Sequence, residues 1–467
     1  MLFSSVTFLY VFLPVVLVAY LLVPKKAKNH VLLAASLFFY FFGEPVYVSL
    51  LIISSLSDFF HSLAIEKCRG TKKAKWLLIS SLCVNLAMLG FFKYIDFFIV
   101  TFNGLTGLAI PTLNVPLPIG ISFFTFQTMS YTIDVYRGNV RAQKNLATMG
   151  TFVSLFPQLV AGPIVRYSDI AEELEHREHH LQNVADGIRR FVYGLGKKVL
   201  IANAMGELCA LFRSSPDQSV LFYWLYAIAF TLQIYFDFSG YSDMAIGLGK
   251  MFGFNFPENF DHPYTSRSVT EFWRRWHMTM GGWFRDYVYI PLGGNRCSKW
   301  KWLRNILVVW MVTGFWHGAA WNFVLWGLMF GILLLVEKLW LGKWLEKAGN
   351  VLPRIYLMFT VIISFVVFNA SSLPGVWQDL KGMFGGLNIP LVSAEAVYQL
   401  KNFALPIMLA VLGSTFLPNR LVDKIRTVKA GNAIVTVLEP VSIVVLMVLV
   451  TACLVDGSFN PFLYFRF

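Results

Sequence analysis

The chain has 467 residues, 57% of them hydrophobic and only 14% charged, with a formal net charge of +13 and a mean hydropathy of +0.60. A soluble domain carries roughly 25% charged residues, so this chain cannot cover a globular surface with polar groups, and most of its outside must face lipid. Its apolar runs are continuous, which excludes the period-two alternation of a transmembrane barrel and predicts an all-α polytopic membrane bundle.

Val6 to Val23 is the first expected span. It has no basic residue before it and no small-residue cleavage site after it, so it reads as retained and not as a signal peptide. Lys25, Lys26 and Lys28 follow, then a helical pair over 31–65 that turns at Gly43-Glu44-Pro45, then Lys67, Arg69, Lys72, Lys73 and Lys75. Both basic clusters are expected in the cytoplasm, facing anionic headgroups and not nucleic acid. Residues 76–100 cross outward, Thr101 to Pro118 holds no Lys or Arg, and 119–136 returns to Arg137, Arg141 and Lys144. The stretch 151–165, with Pro157, Gly162 and Pro163, is too short for a span and reads as re-entrant or in-plane. Residues 166–190 are polar and stay cytoplasmic. A span over 191–212 leaves and one over 219–251 returns, the latter expected to break at Asp237-Phe238-Ser239-Gly240. Two short spans, 303–316 and 319–337, flank His317, and 352–369, 403–418 and 433–455 complete the set. The expectation is about eleven or twelve spans plus interfacial and re-entrant helices.

Residues 267–304 hold eight Lys or Arg, including Arg274, Arg275 and Arg285, interleaved with Trp273, Trp276, Trp283, Phe284, Tyr287 and Tyr289. Rings and snorkelling cations form an interfacial anchor. The same arginines, above all Arg274 and Arg275 beside His277, also suit a phosphate-bearing ligand. Both readings stay open. The five cysteines are scattered without a Cys-x-x-Cys pair, so neither a disulfide framework nor a metal site follows from them.

Of eight histidines, His176, His179 and His180 lie in a polar loop and read as solvated, and His30 and His61 sit near span ends. His317 is different: Thr313-Gly314-Phe315-Trp316-His317-Gly318-Ala319-Ala320-Trp321-Asn322 places an imidazole inside apolar sequence. An ionisable group at membrane depth faces a cavity or the bundle interior, and burial keeps it neutral. A hydrogen bond between helices and a catalytic base are both compatible with that position.

Longer blocks carry a resemblance. Glu271-Phe272-Trp273-Arg274-Arg275-Trp276-His277, Trp283-Phe284-Arg285-Asp286-Tyr287, Ile290-Pro291-Leu292-Gly293-Gly294 and Gly314-Phe315-Trp316-His317-Gly318 are similar to the signature blocks of the membrane-bound O-acyltransferase superfamily. Pro157-Gln158-Leu159-Val160-Ala161-Gly162-Pro163-Ile164 and the run from Gln233 to Asp243 also resemble it. Leu2-Phe3-Ser4-Ser5 and the tail Asn460-Pro461-Phe462-Leu463-Tyr464-Phe465-Arg466-Phe467 narrow the likeness to membrane subunits of alginate and peptidoglycan O-acetylation.

The resemblance implies one integral membrane acyltransferase domain over 1–467, with N-terminal spans in 1–136, the catalytic core in 137–400, and C-terminal spans and tail in 401–467. It implies funnels from both faces, thinnest at the histidine, in a bacterial inner-membrane protein. Acetyl groups would pass from a cytoplasmic thioester, acetyl-coenzyme A, to an extracytoplasmic polysaccharide. An SGNH-type extracytoplasmic partner is implied, and no bound cofactor. His317 is then the expected base and His277 the residue that positions donor or substrate, with Arg274, Arg275 and Arg285 toward the donor. Asn322 is weighed as an orienting or oxyanion group for His317. Asp237 and Asp243 are expected to line the tunnel or to bond backbone at the helix break. Tyr464 could carry the acyl group as an ester, or belong with its phenylalanines to an interfacial aromatic belt. Two other functions compete: D-alanyl transfer to teichoic acid, and transport of an acyl donor or lipid without chemistry. Transporters often show internal repeats, and none is visible.

Overall fold

The computed structural model describes residues 1–457 and Leu463. Every regular element among the described residues is helical. Local sequence sets many of the ends. Thr71 accepts a hydrogen bond from the amide of Ala74, and Asn145 accepts from Ala147 and Thr148, closing two helix N-termini. Gly138 ends the Ile121–Arg137 helix in the left-handed conformation that glycine adopts without strain.

Six helices are long and apolar enough to cross a membrane: Val48–Lys67, Lys72–Thr106, Val220–Met251, Trp321–Lys347, Leu352–Asn369 and Lys429–Val455. A seventh arises if Ala394–Asn402 and Ala404–Gly413, bent by 57°, count as one span. The other expected spans are helices too, but shorter or more polar. Phe8–Leu22 falls in the shorter class, and Lys299–His317 opens on Lys299, Lys301 and Arg304. A hydrocarbon core of about 30 Å needs roughly 20 apolar residues, which these segments do not supply.

The described chain divides into two compact units. The first unit comprises Met1–Phe191 and Met244–Pro257. Its helices Val48–Lys67, Lys72–Leu89 and Ile121–Arg137 share a polar interior. Buried Asp58 accepts from Ser81 Oγ at 2.6 Å and Asn85 Nδ2 at 2.7 Å, while Asn85 Oδ1 accepts from Ser54 and Thr128. Between lipid-facing helices such bonds fix pairing, at about 0.6 kcal/mol each on average. The stretch expected to be re-entrant folds as short pieces, Leu146–Ser154 and Phe156–Leu159. It packs against Gly120, where φ is +75° and a Cβ would lie 2.7 Å from the Leu159 carbonyl oxygen.

The second unit comprises Val192–Asp243 and Glu258–Phe467. The break expected at Asp237-Phe238-Ser239-Gly240 is absent: Val220–Met251 is one unbroken helix of 32 residues. Its polar run serves lateral packing. A Cβ on Gly240 would stand 2.8 Å from the Gly194 carbonyl oxygen, so glycine allows close approach to the Lys197–Ala202 turn and its flank. Nor do Asp237 and Asp243 bond backbone at a break in their own helix. Asp237 pairs with Lys198 at 2.6 Å and Asp243 with Lys197 at 2.7 Å. The first pair is almost wholly buried, and removing one partner of such a pair costs about 3–5 kcal/mol.

Lys299–His317 and Trp321–Val336 pack backbone to backbone. A Cβ on Gly314 would overlap the Phe323 carbonyl oxygen, and one on Gly327 would overlap that of Trp310. Neither is as short as expected: the first runs 19 residues, beginning at Lys299 and not at residue 303. The second continues to Lys347 and not to residue 337, because a π-helical turn at Glu337–Leu341 carries the helix on.

Candidate active site

His317 is the last residue of Lys299–His317, and Gly318 leaves the helix in extended conformation. A Cβ at Gly318 would overlap the Phe323 ring, so the turn after the histidine is fitted to glycine by space. The imidazole is 4% exposed. It meets Trp326 edge to face at 5.1 Å and Phe368 at 5.4 Å, with its neighbour Trp316 at 4.9 Å. Trp326 Nε1 is buried and has no hydrogen-bond partner among the described residues, which leaves an N–H donor on the ring next to His317. Asn322 does not serve His317. Its amide nitrogen donates to the carbonyl oxygens of Phe368 at 3.1 Å and Ala370 at 2.9 Å, closing the end of Leu352–Asn369.

His277 is fully buried and lies in the left-handed region (φ 46°) between two short helices, Val269–Arg275 and Met278–Phe284. Its ring stands 6.1 Å from that of Trp316 and 4.7 Å from that of Phe238. Nδ1 is 3.1 Å from Asn259 Oδ1. That oxygen also accepts from the Thr279 hydroxyl at 2.9 Å, while Asn259 Nδ2 donates to Ser242 Oγ at 3.0 Å. The Asn259 amide is therefore fixed with its oxygen toward the imidazole, so Nδ1 carries the proton. Nε2 is left as a buried acceptor with no partner among the described residues. Burial pushes the pKa of His277 down to about 3, and the ring stays neutral.

The structure thus brings the rings of His277 and His317 each within 6.1 Å of that of Trp316, inside the second unit. The three arginines do not converge in the same way. Arg274 is exposed. Arg275 is held by Glu271 at 2.8 Å and by the Thr265 hydroxyl, and Arg285 pairs with adjacent Asp286 at 2.7 Å. Tyr464 lies outside the described residues. Its chain neighbour Leu463 is buried, and the Leu463 N–H donates to Asp237 Oδ2 at 3.1 Å.

Asn259, Thr279 and Ser242 escape sequence reasoning, since a polar residue in a loop or helix carries no mark of the side chain it will face. Lys198 was findable: it is an ionisable residue inside an apolar helical run, with Asp237 as an equally misplaced partner.

Two buried histidines thus share one tryptophan ring in a helical bundle, and one of them has a fixed tautomer and a ring nitrogen with no partner among the described residues. The chain belongs to the membrane-bound O-acyltransferase family, which it matches over residues 71–375. It is 40% identical over 390 residues to the probable alginate O-acetylase AlgI of Azotobacter vinelandii, covering 82% of this chain and 78% of that one. It is 36% identical over 435 residues to the peptidoglycan O-acetyltransferase of Helicobacter pylori, with 85% and 82% covered. The teichoic acid D-alanyltransferase of Bacillus subtilis is 28% identical over 249 residues, with 51% and 62% covered. The protein is accordingly a multi-pass membrane O-acyltransferase.

Proposed function

We propose that this enzyme moves acetyl groups from a cytoplasmic thioester, acetyl-coenzyme A, across the membrane for O-acetylation of an extracytoplasmic polysaccharide of the alginate or peptidoglycan kind. The longer and closer similarity to O-acetylases than to the D-alanyltransferase favours acetyl as the group carried. The observation that carries the reading is the pair of buried imidazoles that both pack on the Trp316 ring. A transporter without chemistry would transfer no labelled acetyl group from coenzyme A, which separates the two readings.

In the proposed chemistry a hydroxyl oxygen attacks the thioester carbonyl carbon while His317 takes the hydroxyl proton. The tetrahedral oxyanion is met by a buried donor, for which Trp326 Nε1–H is available. The intermediate collapses, the C–S bond breaks, and the thiolate leaves with the proton from His317. His277 acts earlier, its Nε2 accepting a hydrogen bond from an N–H or O–H of donor or acceptor. Delivery of the group to the polysaccharide is assigned to an extracytoplasmic partner of the SGNH type.

The nucleophile in this scheme is the phenol of Tyr464. This reading is supported by Leu463, the residue before Tyr464, which is buried and donates its N–H to Asp237, whose neighbour Phe238 packs on His277. Purified protein mixed with acetyl-labelled coenzyme A should become labelled as an ester, and Tyr464→Phe should lose the label while keeping its abundance. A fully labelled Tyr464→Phe protein removes the relay but leaves the acetyl transfer. Wild-type protein that never takes or passes the label, even with its partner present, removes the transfer itself. Arg274, Arg275 and Arg285 are assigned to attract the donor's phosphates. Arg274→Ala should weaken acetyl-coenzyme A binding roughly three- to tenfold, and an unchanged affinity returns that arginine to the interfacial anchor.

A further inference from the structure

We propose that a cavity in the first unit is a binding site for a phosphate group, borne either by a soluble anion or by an anionic lipid headgroup. The site is separate from the basic segment 267–304 and does not depend on the acyl-transfer reading. The cavity measures about 790 Å³ and is walled by four stretches of chain, near Lys28, Asn145, Arg177 and Phe254. The distribution of basic residues places all four on the cytoplasmic side. Nothing in the sequence requires them to meet.

One end of the cavity is built around Tyr20. The phenol is almost fully buried, donates to the Phe252 carbonyl oxygen at 2.7 Å, and lies 3.3 Å from His179 Nε2. The Lys28 ammonium sits 4.4 Å over the Tyr20 ring, and the Arg177 guanidinium lies 5.8 Å from that ring and 4.6 Å from that of Phe254. Lys28 is only 8% exposed, yet its ammonium makes no hydrogen bond or ion pair among the described residues. Arg177 gives one nitrogen to Asn29 Oδ1 and keeps Nη1 buried without a hydrogen-bond partner among the described residues.

These cations face one another. Burial first, then Arg177 and Lys25, lower the pKa of Lys28; burial, Lys28, Arg177, Lys25 and His180 lower that of His179. Four carboxylates line the cavity too, Glu172, Glu173, Glu175 and Glu178, but none makes an ion pair with Lys28 or Arg177 among the described residues, and three bond other side chains. Glu173 accepts from Asn255, Glu175 from Gln143, and Glu178 pairs with His180. Glu173 acts on Arg177 only through space; crowded cations with no direct ion pair are costly, and aromatic faces offset only part of that cost. A phosphate supplies both the negative charge and the acceptor oxygens that Lys28 and Arg177 lack. The cavity is far larger than one phosphate and falls within the roughly 300–1,000 Å³ of small-molecule sites, leaving room for an organic moiety.

The test uses the full chain in neutral detergent with pyrophosphate as the free probe, read by titration calorimetry. A parallel arm takes protein from phosphatidylcholine bilayers doped with phosphatidylglycerol and counts retained anionic lipid by native mass spectrometry. In at least one arm, wild-type binding is expected to fall roughly tenfold or more in Lys28→Gln and in Arg177→Gln. It should be unchanged in Lys73→Gln, an exposed lysine elsewhere in the same unit. Loss in the pyrophosphate arm identifies a soluble anion, and loss confined to the lipid arm a headgroup. Arg177→Lys keeps the charge and should keep most of the binding. A loss as complete as that of Arg177→Gln, or glutamine variants that bind as wild type in both arms, overturns the proposal.

Discussion

Replacing His317 with alanine is expected to lower O-acetylation on the order of 10²- to 10⁴-fold, the contribution of a positioned general base. The readouts are the O-acetyl content of isolated cell wall or exopolysaccharide and labelled acetyl transfer by purified protein. A loss through misfolding has to be separated from a loss of chemistry. His317 packs among Trp316, Trp326 and Phe368, and deleting a buried ring leaves a cavity costing about 2–5 kcal/mol. His317→Gln retains much of the volume and removes the titratable ring, so it should keep normal abundance and still lack activity. Unimpaired acetylation by either variant at normal abundance sinks the catalytic assignment.

The second large effect is expected at His277, and it comes with an internal control. His277→Ala removes the buried acceptor and should lower kcat/KM roughly 100-fold, the scale of losing one positioned group in a dry site. Asn259→Ala leaves the imidazole but frees its tautomer, so a smaller loss, about tenfold, is expected. The two act through one hydrogen bond at 3.1 Å, and the double variant should be no worse than His277→Ala alone. Losses that multiply in the double variant would mean that Asn259 does not act through His277. With the His277 pKa near 3, no inflection from this residue is expected in the rate between about pH 5 and 8. An unperturbed histidine would titrate inside that window.

Much of the site is legible in the amino-acid sequence. His317 and His277 stand out as imidazoles in apolar company, and the blocks around them carry the family resemblance. The arginines illustrate the opposite case. Arg274, Arg275 and Arg285 look equivalent in a basic stretch, yet one is exposed, one is tied to Glu271 and one to its own neighbour Asp286. Charge density along a chain does not reveal which charges are already satisfied within it.

Sequence alone determined the membrane class, since charge content and apolar run length are properties of composition that lipid selects directly. It also determined most helix positions and singled out the two histidines as imidazoles in apolar sequence. Tertiary structure decided where those side chains point and what holds them. The run Asp237-Phe238-Ser239-Gly240 reads as a break, because a charged and helix-weakening run at membrane depth is tolerated only where it is buried in protein or lines a cavity. It stays helical because Lys198 neutralises Asp237 and Gly240 admits the backbone of Gly194. Those partners lie about forty residues away in the chain. The same holds for Asn259 on His277, and for Lys28 and Arg177 around Tyr20. Local sequence sets a helix, but the partner of a buried polar group is chosen by packing between distant segments, and no local pattern encodes it.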